Sequence, residues 1–428
     1  MNLPSVEVEP DREHLLSCYQ EVRQVTESLC APLATEDYVV QSMPDASPAK
    51  WHLAHTSWFF ETFVLKPALG GDALVSPEYA YLFNSYYNAV GERIARGERG
   101  LISRPTVAEV YRYRRIVDDR VRSLLGEAGA DALRRTGPAV VLGLNHEQQH
   151  QELILTDIKH AFGRNPVRPA YRERGELKGS PPDPVRWRRF PAGLRSIGHD
   201  GRGFAFDNES PRHPVYLGPF RLADRLVTNG EYLAFLDDGG YDRPEFWLSD
   251  GWNARTLNRW SAPLYWDKDR TVFTMAGTRA LNENEPVCHV SYYEADAFAR
   301  WSNARLPTEA EWEVAAEGSA IRGNLLEAER FHPAPGEEPD GEPAFSQLFG
   351  DVWEWTSSPY AAYPGFRPAA GALGEYNGKF MCNQFILRGG SCATPRAHLR
   401  STYRNFFPPE ARWQFTGIRL ARHPDPPP

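Results

Sequence analysis

Two histidines four residues apart, His146 and His150, stand in the run Leu144-Asn145-His146-Glu147-Gln148-Gln149-His150-Gln151-Glu152. On a helix that spacing puts both imidazoles on one face, close enough to hold a single metal ion. The same spacing also arises on solvated helix faces, so the pair alone does not make a site. A second histidine-bearing stretch lies far upstream, Lys50-Trp51-His52-Leu53-Ala54-His55-Thr56-Ser57-Trp58-Phe59-Phe60. His55 falls on its buried stripe, four before Phe59 and one turn after Trp51. A lone histidine there reads as a satisfied core residue; beside His146 and His150 it reads as a third ligand. His52, three residues earlier, points about 60° away around the helix. Three neutral imidazoles leave coordination positions open, as a catalytic metal requires, and suit iron or zinc alike.

Helices must position these groups. Residues 11–31 have Leu15, Tyr19, Val22 and Leu29 at helical spacing. A second helix is expected from Ser47-Pro48, with Ser47 as its cap and Pro48 at its first position, to a stop at Pro67. A third runs from Arg104-Pro105 to Gly126, and a fourth, carrying His146 and His150, from Gly137-Pro138 to Phe162. Four helices with one long crossover, residues 67–104, predict a four-helix bundle with its metal site in the core. The crossover holds Tyr86 and Tyr87, then Arg93, Arg96, Arg99 and Arg104. Aromatics at this density argue against disorder, and a loop of this length in a compact domain is commonly functional. Arginine suits bidentate recognition of a carboxylate.

The 428 residues point to two domains, and 41% hydrophobic content is enough to build their cores. A net charge of −8 with no basic run argues against a nucleic-acid partner. No stretch approaches the length of an apolar membrane span, and Met1 to Asp11 has no signal-peptide pattern. The five cysteines are scattered without a Cys-x-x-Cys, which suits a reducing cytoplasm and argues against a zinc-thiolate site. Ten of the twelve tryptophans follow position 180, so the two halves differ in kind. The expected organisation is a helical bundle over residues 1–165, a Pro-, Arg- and Gly-rich linker over 166–190, and a loop-rich α+β domain over 191–428. In that second domain, helices are expected at Asn229 to Leu236, at Tyr292 to Asn303 and after Leu306, where Thr308 and Glu311 have capping-box spacing.

Five phrases of the second half carry a resemblance: Val227-Thr228-Asn229-Gly230-Glu231-Tyr232, Arg305-Leu306-Pro307-Thr308-Glu309-Ala310-Glu311-Trp312, Gly350-Asp351-Val352-Trp353-Glu354-Trp355-Thr356, Leu387-Arg388-Gly389-Gly390-Ser391 and Gly417-Ile418-Arg419-Leu420-Ala421-Arg422. In this order they resemble the formylglycine-generating-enzyme-like (sulfatase-modifying-factor) domain, which has a C-type-lectin-like fold. Its formylglycine-forming members use two cysteines after the Gly-Gly-Ser turn. This chain has Cys392 and no second cysteine as far as Arg404, so the resemblance implies a substrate-pocket wall instead of cysteine oxidation. The first half resembles a DinB-like bundle, whose members bind a metal through three histidines.

Together the two halves are similar to the ergothioneine-biosynthesis sulfoxide synthases. The resemblance implies an α+β multidomain enzyme with non-haem iron(II). Such enzymes join the thiol of cysteine, or of γ-glutamylcysteine, to the imidazole of hercynine with dioxygen, giving a sulfoxide. It implies His55, His146 and His150 as iron ligands and Tyr86 or Tyr87 as proton donor. Arg96 and Arg99 would bind the carboxylate of the thiol substrate, with Arg104 less well matched. Gln149 would hydrogen-bond the imidazole, and Asn405, Phe406 and Phe407 fall where the family contacts hercynine. One subtype has an aspartate in that stretch; Phe406-Phe407-Pro408 here favours cysteine as the thiol donor. Three rivals remain at this level: a zinc peptidase using His146-Glu147-x-x-His150 with Glu147 as base, a DinB-type zinc-dependent thiol transferase, and a non-enzymatic lectin-like binding protein with a helical stalk and no bound metal.

Overall fold

Asp11 caps the first helix by accepting the Glu13 N–H at 3.1 Å, and α1 (Arg12–Cys30) buries Leu15, Tyr19, Val22 and Leu29. The computed structural model describes residues 11–70, 74–175, 181–336, 345–369 and 371–424. Residues 1–10, part of the stretch read for a signal peptide, lie outside them. Every residue of α2 (Ala49–Phe60) is buried, as expected of a helix apolar round most of its circumference. Burying Trp58, Phe59 and Phe60 contributes about 1.5–3 kcal/mol each.

Two helix boundaries differ from expectation. Ser47 does not cap α2. The cap position is Pro48, while the Ser47 N–H is bonded to Asp157 at 2.8 Å and its hydroxyl to Arg99 at 2.9 Å. Pro67 does not end the helix either. One π turn, Glu61–Leu65, in which the Lys66 N–H reaches the Glu61 carbonyl, leads into α3 (Lys66–Leu69) with Pro67 in its first turn. There a missing N–H leaves nothing unsatisfied.

Among the described residues the crossover carries a short α-helix, α4 (Tyr79–Leu82), and a 3-10 segment, Arg96–Leu101, before α5 (Val107–Glu127), which Thr106 and Glu109 start with a reciprocal capping box. The last helix, α6 (Ala130–Arg164), is 35 residues long, so Pro138 lies inside it and not at its start. The cost of one missing hydrogen bond is outweighed by packing along the rest of the helix. α6 packs on α1 and α2, and α5 on α2 and α1, which completes the four-helix bundle. Gly143 permits the closest approach: a Cβ there would lie 2.6 Å from the Phe60 ring. This bundle unit runs to Tyr171 and takes in two later segments, Gly201–Asp207 and Arg367–Gly378.

The second unit is made of short elements. Its helices are α7 (Asn229–Asp237), α8 (Ser249–Asn258), α9 (Tyr292–Trp301) and α10 (Glu309–Ala316); α11 (Glu375–Gly378) belongs to the first unit. Its strands are β1 (Trp187–Phe190), β2 (Gly193–Ile197), β3 (His213–Leu217), β4 (Phe220–Ala223), β5 (Thr271–Thr274), β6 (Gly277–Ala280), β7 (Trp353–Pro359), β8 (Phe385–Arg388), β9 (Asn405–Phe407), β10 (Thr416–Gly417) and β11 (Ala421–Arg422). They form sheets ordered β1-β4-β11 and β10-β7-β8-β9, plus the hairpins β2-β3 and β5-β6. β1 begins inside the segment expected to be linker.

The phrases that carried the resemblance turn out to be buried scaffolding. Arg225-x-x-Thr228-x-x-Glu231 and Arg305-x-x-Thr308-x-x-Glu311 build the same device twice. Each threonine caps its helix, and each glutamate accepts the cap N–H and a two-pronged arginine at 2.6–2.9 Å. Glu354 and Arg419, both fully buried, pair at 2.8 Å, with the Trp312 indole N–H donating to the same carboxylate at 2.7 Å.

Candidate metal centre

α2 supplies His55 and α6 supplies His146 and His150, all buried, with one ligand atom from each lying within 4.8 Å of the others. The Nε2 atoms of His55 and His146 are 3.2 Å apart. Two imidazoles on one ion at about 2.1 Å, with tetrahedral or octahedral angles, stand roughly 3.0–3.4 Å apart. The outer nitrogens fix the tautomers. His55 Nδ1 donates to the Phe83 carbonyl at 2.6 Å, which leaves Nε2 as a lone pair facing inward. His150 Nδ1 lies 2.8 Å from His52 Nδ1, which leaves its Nε2 for an ion. His146 Nδ1 is buried without a hydrogen-bond partner among the described residues. Trp51 stacks on His55 and Phe59 on His146, each with ring centroids 4.5 Å apart, so the rings cannot turn freely.

Burial holds these imidazoles unprotonated. It pushes His146 down to about 3, and it takes His55 and His150 well below the usual histidine range, helped by neighbouring histidines. Three neutral nitrogen donors with open positions fit a divalent transition metal.

Glu147, the base of the peptidase alternative, has no access to this centre. It is fully buried and turned toward α1 and α5, where Arg23 at 2.8 Å, Arg114 at 2.5 Å and Thr26 at 2.7 Å engage its carboxylate. Despite burial, the two arginines bring its carboxyl down to about 2. It is a strut that ties the helix of His146 and His150 to its neighbours, and the peptidase reading falls.

The crossover places the predicted tyrosines and arginines in different settings. Arg99 is 3% exposed, with its guanidinium 3.4 Å from the Trp51 ring centroid and bonds to the Ser47 and Ser85 hydroxyls. Burial and the adjacent Arg96 bring it down to about 9. Arg96 donates to the Tyr86 hydroxyl at 2.7 Å and to the Asp45 carbonyl. Among the described residues, neither arginine forms an ion pair. Arg104 is exposed and bonds the neighbouring Ser103 carbonyl, apart from this pair.

Tyr87 is buried against Trp58, Phe59 and Phe63. It lines an apolar cavity of about 90 Å³ together with His146 and Gln149, and so does Phe59. Phe204, Phe206 and Asp207, from the segment the first unit takes back, line the same cavity, and Asn377 donates to Asp207. Asn405, Phe406 and Phe407 form β9 of the second unit, where Phe406 stacks on Tyr360 with centroids 4.0 Å apart. Cys392 is buried in that unit, and all five cysteines are free.

Reasoning from the sequence missed Phe204, Phe206 and Asp207, which no local pattern marks. It also missed Asp157, whose spacing did carry a signal. Seven residues after His150, it lies two turns along the same face.

Residues 19–154 match the DinB superfamily, and residues 189–342 and 336–424 match the sulfatase-modifying factor enzyme 1-like domain. The chain is 34% identical over 405 residues to the hercynine oxygenase of Mycobacterium tuberculosis, covering 88% of this chain and 91% of that one. It is 33% identical over 413 residues to the hercynine oxygenase of Mycolicibacterium smegmatis, covering 89% and 92%. The formylglycine-generating enzyme of Streptomyces coelicolor is 31% identical over 251 residues, 47% of this chain and 77% of that one. No helix among the described residues is long and apolar enough to cross a membrane.

Proposed function

The chain belongs to the hercynine oxygenase family, and from that premise we propose that it joins the sulfur of cysteine to the imidazole of hercynine, with dioxygen as oxidant and a sulfoxide as product. The observation that carries the reading is the convergence of three neutral histidine nitrogens beside a cavity that also presents Tyr87 and Gln149. Iron(II) held by His55, His146 and His150 would supply the redox equivalents and open positions that oxygen chemistry needs.

The protein's own groups then have separate tasks. Arg99, buried with no ion-pair partner among the described residues, is a cation in want of an anion, and the carboxylate of the thiol substrate meets that need. Arg96 stands beside it, held by Tyr86. Gln149 orients the hercynine imidazole, and the aromatic lining of the cavity suits its quaternary ammonium. Tyr87 is the proton donor in this reading, because it lines the cavity with His146, whereas Tyr86, whose hydroxyl accepts from Arg96, does not line it. Asn405, Phe406 and Phe407 enter as hercynine contacts on resemblance alone. Free thiols and the lack of a spanning helix among the described residues fit a cytoplasmic enzyme.

The test is anaerobic loading with iron(II), hercynine and either cysteine or γ-glutamylcysteine, followed by air and mass spectrometry. The reading expects a hercynine–cysteine sulfoxide with cysteine preferred, and its loss with the bound iron in His55→Ala, His146→Ala and His150→Ala. Preference for γ-glutamylcysteine would reassign the thiol donor. Iron-loaded protein that gives no sulfoxide from either thiol would overturn the reading.

A further inference from the structure

One buried carboxylate behind the metal centre has no part in the chemistry above. Asp157 lies on α6, two turns beyond His150. Its Oδ2 sits 3.0 Å from His52 Nε2 and accepts the Ser47 N–H at 2.8 Å; among the described residues its buried Oδ1 has no hydrogen-bond partner. The other ring nitrogen of His52, Nδ1, lies 2.8 Å from Nδ1 of His150. Asp157, His52 and His150 are all buried.

The protons in this row are determined in order. A histidine that gives Nε2 to a metal keeps its proton on Nδ1 and must donate it. His52 Nδ1 is then the acceptor, so His52 carries its own proton on Nε2. That proton is donated to Asp157, and a carboxylate ends the row as acceptor. Both nitrogens of His52 are engaged, so His52 is not a ligand.

We propose that His52 and Asp157 are positioning residues for His150, which fix its tautomer and ring plane and direct negative charge toward the metal. The inference rests on the three-histidine reading of the metal centre. A carboxylate acting directly on a ligand histidine is the usual arrangement; here an intervening imidazole extends it by one ring.

Full-length protein is titrated with cobalt(II) alone, against a competing chelator, with the visible absorption bands recorded for the parent, His52→Phe, His52→Gln and Asp157→Asn. His52→Phe keeps the ring and loses both bonds. His52→Gln keeps an acceptor for His150 and a donor for Asp157. Asp157→Asn keeps the shape and removes the charge. The expected result is about 10- to 100-fold weaker cobalt binding in His52→Phe and Asp157→Asn, with shifted bands, and recovery of most of the affinity in His52→Gln. Parental affinity and bands in His52→Phe and Asp157→Asn overturn the inference. Should His52→Phe fail to fold by circular dichroism, Asp157→Asn decides alone. Absence of cobalt binding by the parent overturns the metal reading and this inference with it. Parental binding with unaffected variants overturns this inference only.

Discussion

Arg99→Met should leave the ligand-free protein at least as stable while damaging its use of the thiol substrate. Arg99 is held at about 9 by burial first and Arg96 second, against an ordinary value of about 12.5. The fall of about 3.5 pH units, at about 1.4 kcal/mol each, puts about 5 kcal/mol against the charged form. At pH 7, below both values, the group is protonated folded and unfolded, so that penalty is fully expressed. Methionine fills similar volume. It gives up the Trp51 ring contact, worth about 1 kcal/mol, and two hydrogen bonds of about 1 kcal/mol each. The balance is a gain of about 2 kcal/mol, read by urea unfolding without ligand. The KM for the thiol should rise about 10- to 100-fold, that of a lost charge-assisted contact, with the hercynine KM little changed. Cysteine at a hundred times its Kd should stabilise the parent by about 2.7 kcal/mol and the variant hardly at all. A variant destabilised by 2 kcal/mol or more with an unchanged thiol KM would show that the guanidinium is a structural strut, and the anion-site argument would fail.

Tyr87→Phe should lower sulfoxide formation about a hundred- to ten-thousandfold with iron content unchanged, whereas Tyr86→Phe should act mainly on the thiol KM by releasing Arg96; the opposite pattern in product analysis exchanges the two roles. Glu147→Gln leaves Arg23 and Arg114 buried against a neutral amide and should cost about 3–5 kcal/mol, so a loss below 1 kcal/mol in urea unfolding contradicts the strut. Burial pushes Asp351 up to about 6 despite bonds from Asn324, Ala334 and Gln347. A carboxyl raised on folding contributes stability that is present below about pH 4 and lost as pH rises through about 6. Relative to Asp351→Asn, the parent should therefore gain about 2.5 kcal/mol between pH 7 and pH 4. A difference that stays flat with pH refutes this.

The three histidines of the candidate metal centre were legible because each rests on a short-range pattern. His146 and His150 share a helix face by spacing, and His55 sits among aromatics that only a core accepts. The capping boxes at Thr308-Glu311 and Thr106-Glu109 are likewise written in local sequence, although proline at position 105 drew the expected start of α5 slightly early. Proline was also what misled at 67 and 138: Pro67 sits in the first turn of α3, where it is tolerated, and at Pro138 a local preference of about 3 kcal/mol is overridden by packing along α6. Glu147 was opaque for another reason. Its partners Arg23 and Arg114 are 124 and 33 residues away, and no pattern within one segment announces a charge that the tertiary fold will neutralise. The second domain was recognisable by phrases that carry helix caps and ion pairs of its framework, so likeness there reported scaffold rather than chemistry.

The two segments that return to the bundle unit give it an unusual genealogy. Severed after Tyr171, the bundle would keep its three histidines but lose Phe204, Phe206 and Asp207, leaving Phe59 and Tyr87 facing water. It is therefore not an interchangeable cassette, and swapping partner domains between relatives would exchange part of the cavity wall unasked. The same arrangement offers selection a dial. Insertions or substitutions in Gly201–Asp207 and Arg367–Gly378 can remould what the cavity admits while the histidine-bearing helices, bound into the core, stay as they are.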